Sequence, residues 1–146
     1  MAQQKLKAFV SQCSGFSSQK KLSMSDTFST LQVFQEAHKL TLKVYKITST
    51  FPEDEKYALI SQIRRAAASV PANIVEGQGR SGKQEKIHFL YIANGSLEEV
   101  KYFLLLAKDL NYITPETYNV IHDDANSVGK LLQGFITYMK VKHADN

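Results

Sequence analysis

The chain has 146 residues, 43% of them hydrophobic, which suits one domain built around a single core. Its lone cysteine, Cys13, excludes an internal disulfide framework and a cysteine-built zinc site, and no apolar run is long enough to cross a bilayer, so the cytoplasm is the expected compartment. The net charge of +4 sits wholly in the leading segment, where Lys5, Lys7, Lys20 and Lys21 meet no acid; beyond it, the remaining basic residues are balanced by 14 acidic ones.

Residues 1–25, rich in Ser, Gln and Lys and without periodicity, read as a flexible basic tail, with Met24 a plausible second start. The folded part is expected over 26–142, followed by a short tail at 143–146. From Asp26 the apolar residues Val33, Ala37, Leu40, Val44, Ile47 and Phe51 recur in steps of four and three. That stripe predicts a first helix capped by Ser25 or Asp26. Pro52-Glu53-Asp54-Glu55 then predicts the start of a second helix, with proline in its first position and acids in its positive first turn.

Leu59, Ile63, Ala66, Ala67, Val70 and Ile74 carry the second stripe. Pro71 interrupts it, removes one backbone donor and orphans the Ala67 carbonyl. Because Ile74 stays in phase with Val70, the expected result is a kink and not a stop. The helix should end near Gly77 or Gly79, in the left-handed conformation that glycine accepts. A third helix is predicted from about Ser81 to Tyr112 on Leu90, Ala93, Leu97, Val100, Leu104 and Ala107. Thr114-Pro115-Glu116 caps a fourth, striped by Tyr118, Ile121, Ala125, Val128, Leu132, Phe135 and Met139. Four such helices with short connections predict an all-α, antiparallel up-down four-helix bundle.

Helices three and four carry more apolar residues than one bundle face needs. Phe89, Phe103, Leu106 and Leu110, with Leu131 and Tyr138, are the surplus. Another copy of the chain is the simplest cover for them.

Chemistry-bearing patterns are few. Gly77-Gln78-Gly79-Arg80-Ser81-Gly82 fits G-x-G-x-x-G, and Gly77 through Lys83 fits most of a P-loop. Neither follows a strand, and Gln84 stands where a P-loop needs a magnesium-binding hydroxyl, so a helix connection is the better account. Glu85 and His88 have the E-x-x-H spacing of a carboxylate-bridged metal site, but no second copy exists. No nucleophile motif occurs, and the pairs Glu98-Glu99 and Asp123-Asp124 suit a solvated face. No cofactor or metal is expected. What remains is basic: Arg64, Arg65, Arg80, Lys83 and Lys86 lie around the end of helix two and the start of helix three. They fit either phosphate contacts or ordinary surface and intersubunit ion pairs.

Residues 61–100 carry a longer pattern. Gln62, Arg64, Arg65, Ala66, Ala67, Ser69, Pro71, Ala72, Asn73, Ile74, Glu76 and Gly77 form its first half. Arg80, Glu85, Phe89, Leu90, Ile92, Ala93, Gly95, Ser96, Leu97 and Glu99 continue it. This pattern strongly resembles the ribosomal S23 / 23S rRNA intervening-sequence family, over about residues 28–140. The resemblance implies a four-helix bundle assembled as a homopentamer, with no known catalytic activity. It extends in fold to the accessory variability determinant of diversity-generating retroelements, which binds nucleic acid and a reverse transcriptase through a basic surface. Two departures stand out: Phe34 replaces a tryptophan usual in helix one, and residues 26–146 are neutral where the retroelement accessories are strongly basic. The expected function is a non-enzymatic, oligomeric accessory that binds RNA or DNA, most simply RNA, and assists a reverse transcriptase. The alternative is a protein–protein scaffold that binds no nucleic acid. No membrane association is expected.

Overall fold

A computed structural model describes residues 31–142, and the expected tails at 1–25 and 143–146, with the proposed cap at Ser25 or Asp26, lie outside the described residues. The described residues form four α-helices: α1 (Gln32–Thr48), α2 (Leu59–Gly79), α3 (Lys83–Asp109) and α4 (Pro115–Val141). No strand occurs among the described residues. Contacts join α1 to α2, α2 to α3, α3 to α4 and α4 back to α1, so the apolar stripes converge on one core. Leu40, Ile63, Ile74, Leu90, Leu97, Leu104 and Leu132 are completely enclosed there. Each such side chain contributes roughly 1.5–3 kcal/mol by leaving water. No described helix is long and apolar enough to cross a membrane.

The first helix begins at Gln32, after an extended Leu31, and so starts later than Asp26. Its inward stripe also includes two threonines, Thr41 and Thr48, both buried. Thr41 explains how Pro71 is accommodated. α2 runs through Pro71 to Gly79, and the missing proline N–H leaves Ala67 without its helical donor. The Thr41 hydroxyl supplies the replacement from α1, donating to the Ala67 carbonyl at 2.9 Å while lying 3.0 Å from the Ala37 carbonyl of its own helix.

The second helix does not start at Pro52. Glu53–Glu55 form a short 3-10 turn, and α2 opens four residues later. Glu55 reaches forward to accept the Leu59 N–H at 3.1 Å, so the acids cap α2 from outside it. The other oxygen of Glu55 accepts the Tyr112 hydroxyl at 2.9 Å. Phe51, Leu59 and Ala107 form a second small apolar cluster beside this link. Tyr112 packs its ring 5.4 Å from that of Phe51.

Glycine conformation is the main point at which the sequence reading needs correction. No glycine has a positive φ among the described residues, and the only left-handed residue is Asn111, at φ 60°. It closes α3: the Asn111 N–H bonds to Lys108 O and the Tyr112 N–H to Ala107 O, the two crossed bonds of a Schellman motif. α2 ends at Gly79 with an extended Arg80. Gly77 serves a different need, since a Cβ there would meet Phe89 Cβ at 3.2 Å and the Lys86 carbonyl at 3.3 Å. It permits the close approach of α2 and α3. Thr114 caps α4 as expected, accepting the Thr117 N–H at 3.1 Å with Pro115 in the first turn.

Thr41→Val removes the donor and keeps the shape, so it should cost about 1–3 kcal/mol in urea unfolding by leaving the Ala67 carbonyl unsatisfied. Pro71→Ala restores the natural donor, and in that background the same change should cost much less. Additive effects in the double-mutant cycle would contradict this assignment.

The hydrogen bond to Glu55 raises the Tyr112 hydroxyl pKa above the ordinary value of 10.0. A raised folded-state pKa means the contribution is present below the ordinary tyrosine range and is lost as pH climbs through the raised value. In an ultraviolet titration, the difference between the wild type and Tyr112→Phe should be one ionisation above the ordinary range. A difference ionisation at or below it would contradict the bond.

Candidate nucleic-acid interface

The five basic residues singled out in the sequence divide into two groups. Arg64 lies in the α1–α2 contact. Its Nε donates to Thr48 Oγ1 at 2.8 Å, a terminal nitrogen donates to the Tyr45 carbonyl at 3.3 Å, and its guanidinium stacks 4.7 Å from the Tyr45 ring centre. It thereby places a cation against the carbonyl-rich end of α1. Among the described residues its partners are neutral groups of its own chain and not the carboxylate of an ion pair. Arg65 is exposed, with its guanidinium 3.4 Å from Gln62 Oε1 on the same helix. Both arginines stand roughly 20 Å along α2 from its end, at 1.5 Å per residue.

Arg80, Lys83 and Lys86 lie together where α2 gives way to α3. Because Gly77 lets α3 come close, the Phe89 ring reaches the end of α2, and Arg80 lies 4.9 Å from its centre. Arg80 also pairs with Glu76, one turn back. Lys83 donates at 2.9 Å to the Lys140 carbonyl, near the end of α4 where helix carbonyls lack intrahelical donors. Lys86 is half-buried, and its backbone packs beneath Gly77.

The Lys83 contact brings in residues that the sequence reading did not select. Lys140 follows α4 to this end of the molecule and donates to the Tyr91 hydroxyl at 2.7 Å. Lys142 bonds to the Tyr138 hydroxyl, which raises its pKa above the ordinary lysine value and favours the charged form. The end of the bundle therefore combines Arg80, Lys83, Lys86, Lys140 and Lys142 with the rings of Phe89, Tyr91 and Tyr138. The stretch TYMKVK at 137–142 was the available signal, cations interleaved with an aromatic in the last turns. Its meaning depends on which helix start lies beside it.

The residues expected to cover a second copy also divide. Phe103, Leu106 and Leu131 are half-buried and pack on the protomer's own clusters. Phe89 is half-buried beneath Arg80. Leu110 and Tyr138 are exposed, as are Ile92 and Tyr102 on α3. Glu85 and His88 are both exposed, and no group of three potential metal ligands occurs among the described residues.

The family described as 23S rRNA-intervening sequence protein matches residues 29–134. A solved structure from Bacteroides thetaiotaomicron, a protein with unknown function from the S23 ribosomal protein family, is 29% identical, with a TM-score of 0.65. That match covers 71% of this chain and 97% of the other. No curated protein matches the sequence.

Proposed function

The chain belongs to the family of 23S rRNA-intervening sequence proteins, and on that premise we propose that it is a non-enzymatic, self-associating accessory protein that binds RNA. The observation that carries this reading is the basic end of the bundle. Arg80, Lys83, Lys86, Lys140 and Lys142 come from three chain segments, and the last turns of α4 contain no acid. Phosphate oxygens are the natural ligands of such a cluster, and each contact releases a bound counterion. A reverse transcriptase is the protein partner that this role would serve.

Self-association is part of the same reading, as a pentamer of antiparallel up-down bundles. The order of contacts supports the arrangement within each bundle: Thr41 meets Ala67 while the later Thr48 meets the earlier Arg64, and Tyr91 meets Lys140 while Lys108 meets Tyr118. A closed ring with an odd number of subunits needs two different complementary patches. Ile92 and Tyr102 on α3, with Leu110 just after it, supply exposed apolar surface, and a groove at the α1–α4 seam lined by Leu31, Leu131 and Phe135 offers a second.

Light scattering should give five times the chain mass of 16.4 kDa; a monomer would contradict the assembly. Filter binding of a single-stranded RNA across a salt series should give a slope of about −2 to −3.5, the value for three to five phosphate contacts on a single strand. A flat response, or no binding at about 50 mM salt, would overturn the RNA reading.

A further inference from the structure

The seam between α3 and α4 does not end at Tyr91 and Lys140. It continues along the bundle as an open groove of about 570 Å³, walled by Asn94 and Lys101 on one side and by Asn126, Lys130 and Gln133 on the other. Gly129 lies between these walls and contributes no side chain to fill the groove. The one carboxylate lining it, Glu98, is bonded to Lys101 at 2.8 Å. No hydrogen-bond partner for the Asn94 or Gln133 side chain is present among the described residues. The groove lining runs about 10 Å along α3 from Asn94 to Lys101, and Tyr91 lies one turn before it.

We propose that this groove holds unpaired nucleotides of a single-stranded RNA, with bases against Tyr91 and the amides and phosphates against Lys83, Lys130 and Lys140. The inference rests on the RNA reading above and narrows it to unpaired bases at the α3–α4 seam. The amides are the first reason. Each carries two donors and an acceptor, the complement of a base edge. In an RNA duplex those edges are paired or hidden in a deep, narrow groove that side chains do not read. The tyrosine is the second. Lys140 meets Tyr91 at its hydroxyl, 2.7 Å away, while standing 5.3 Å from the ring centre. The ammonium therefore approaches along the ring plane, leaving the faces of this 46% exposed residue uncovered by it. An uncovered aromatic face flanked by lysines is the usual platform for an unpaired base. An acidic peptide would satisfy the lysines but give neither the amides nor the ring a role. A small ligand would stay largely in solvent in so open a site.

The test is fluorescence anisotropy with a labelled RNA, single-stranded or annealed to its complement, against wild type, Tyr91→Leu, Tyr91→Phe and Asn94→Ala/Gln133→Ala, each checked for unchanged helix content. The single strand should bind at least about tenfold more tightly than the duplex. Tyr91→Leu should weaken single-strand binding by about tenfold, within the range for loss of one stacked base. Tyr91→Phe, which keeps the ring, should retain most of it, and the amide variant should lose single-strand affinity while the duplex is unaffected. Equal affinity for both RNA forms, with Tyr91→Leu silent, would overturn the groove assignment and leave the RNA reading standing. Equal losses from Tyr91→Leu and Tyr91→Phe would overturn the stacking role. Absence of binding by both RNA forms would overturn the groove assignment and the RNA reading together.

Discussion

One missing hydrogen sets the terms for the whole bundle. Pro71 lies among the buried residues of α2, where its absent N–H leaves the Ala67 carbonyl facing α1 instead of water. A buried acceptor in that position needs a donor, and Thr41 provides it. The bond fixes the register of α1 against α2, because sliding either helix by one turn would separate hydroxyl and carbonyl. The apolar stripes on their own would tolerate several registers, since leucine against leucine is not directional. A directional bond within an apolar stripe selects one of them.

The same interface accounts for the division of charge. Once α1 is held against α2, the carbonyls that end α1 lie beside Arg64, which bonds to Tyr45 O and to Thr48 Oγ1. An arginine that looked suited to phosphate is thus occupied in joining two helices. Arg65 beside it is exposed, and a denser group of cations lies at the opposite end of α2, where Arg80 and Lys83 meet the last turns of α4. Lys83 and Lys140 bond to a carbonyl and a hydroxyl and not to a carboxylate. Held side chains of this kind lose less conformational freedom on meeting a ligand than free ones do.

Much of the fold was legible because the apolar stripes are regular. All four helices, the α4 cap and the orphaned Ala67 carbonyl follow from spacing and from proline chemistry. Thr41 and Thr48 were hidden because they occupy stripe positions as polar residues, and their partners are twenty-six and sixteen residues away. The glycines were misread for a related reason. Local chemistry says glycine supplies unusual backbone angles, but Gly77 is needed for its lack of volume, which shows only when α3 is placed against it. The left-handed residue proved to be Asn111, whose side chain tolerates that conformation. The candidate site was half visible: Arg80 and Lys83 are neighbours in sequence, whereas Lys140 and Tyr91 join them only through the topology. Helices α3 and α4 run past one another there, so residues forty-nine apart share a hydrogen bond.

The central claim is that nucleic acid meets the α3–α4 seam and its basic end, not the arginines midway along α2. Photocrosslinking with an RNA carrying 4-thiouridine, followed by peptide mass spectrometry, tests this directly. The account predicts crosslinks at Tyr91 and within residues 133–142. Crosslinks confined to the surface around Arg65, or no crosslinks at all, would contradict it.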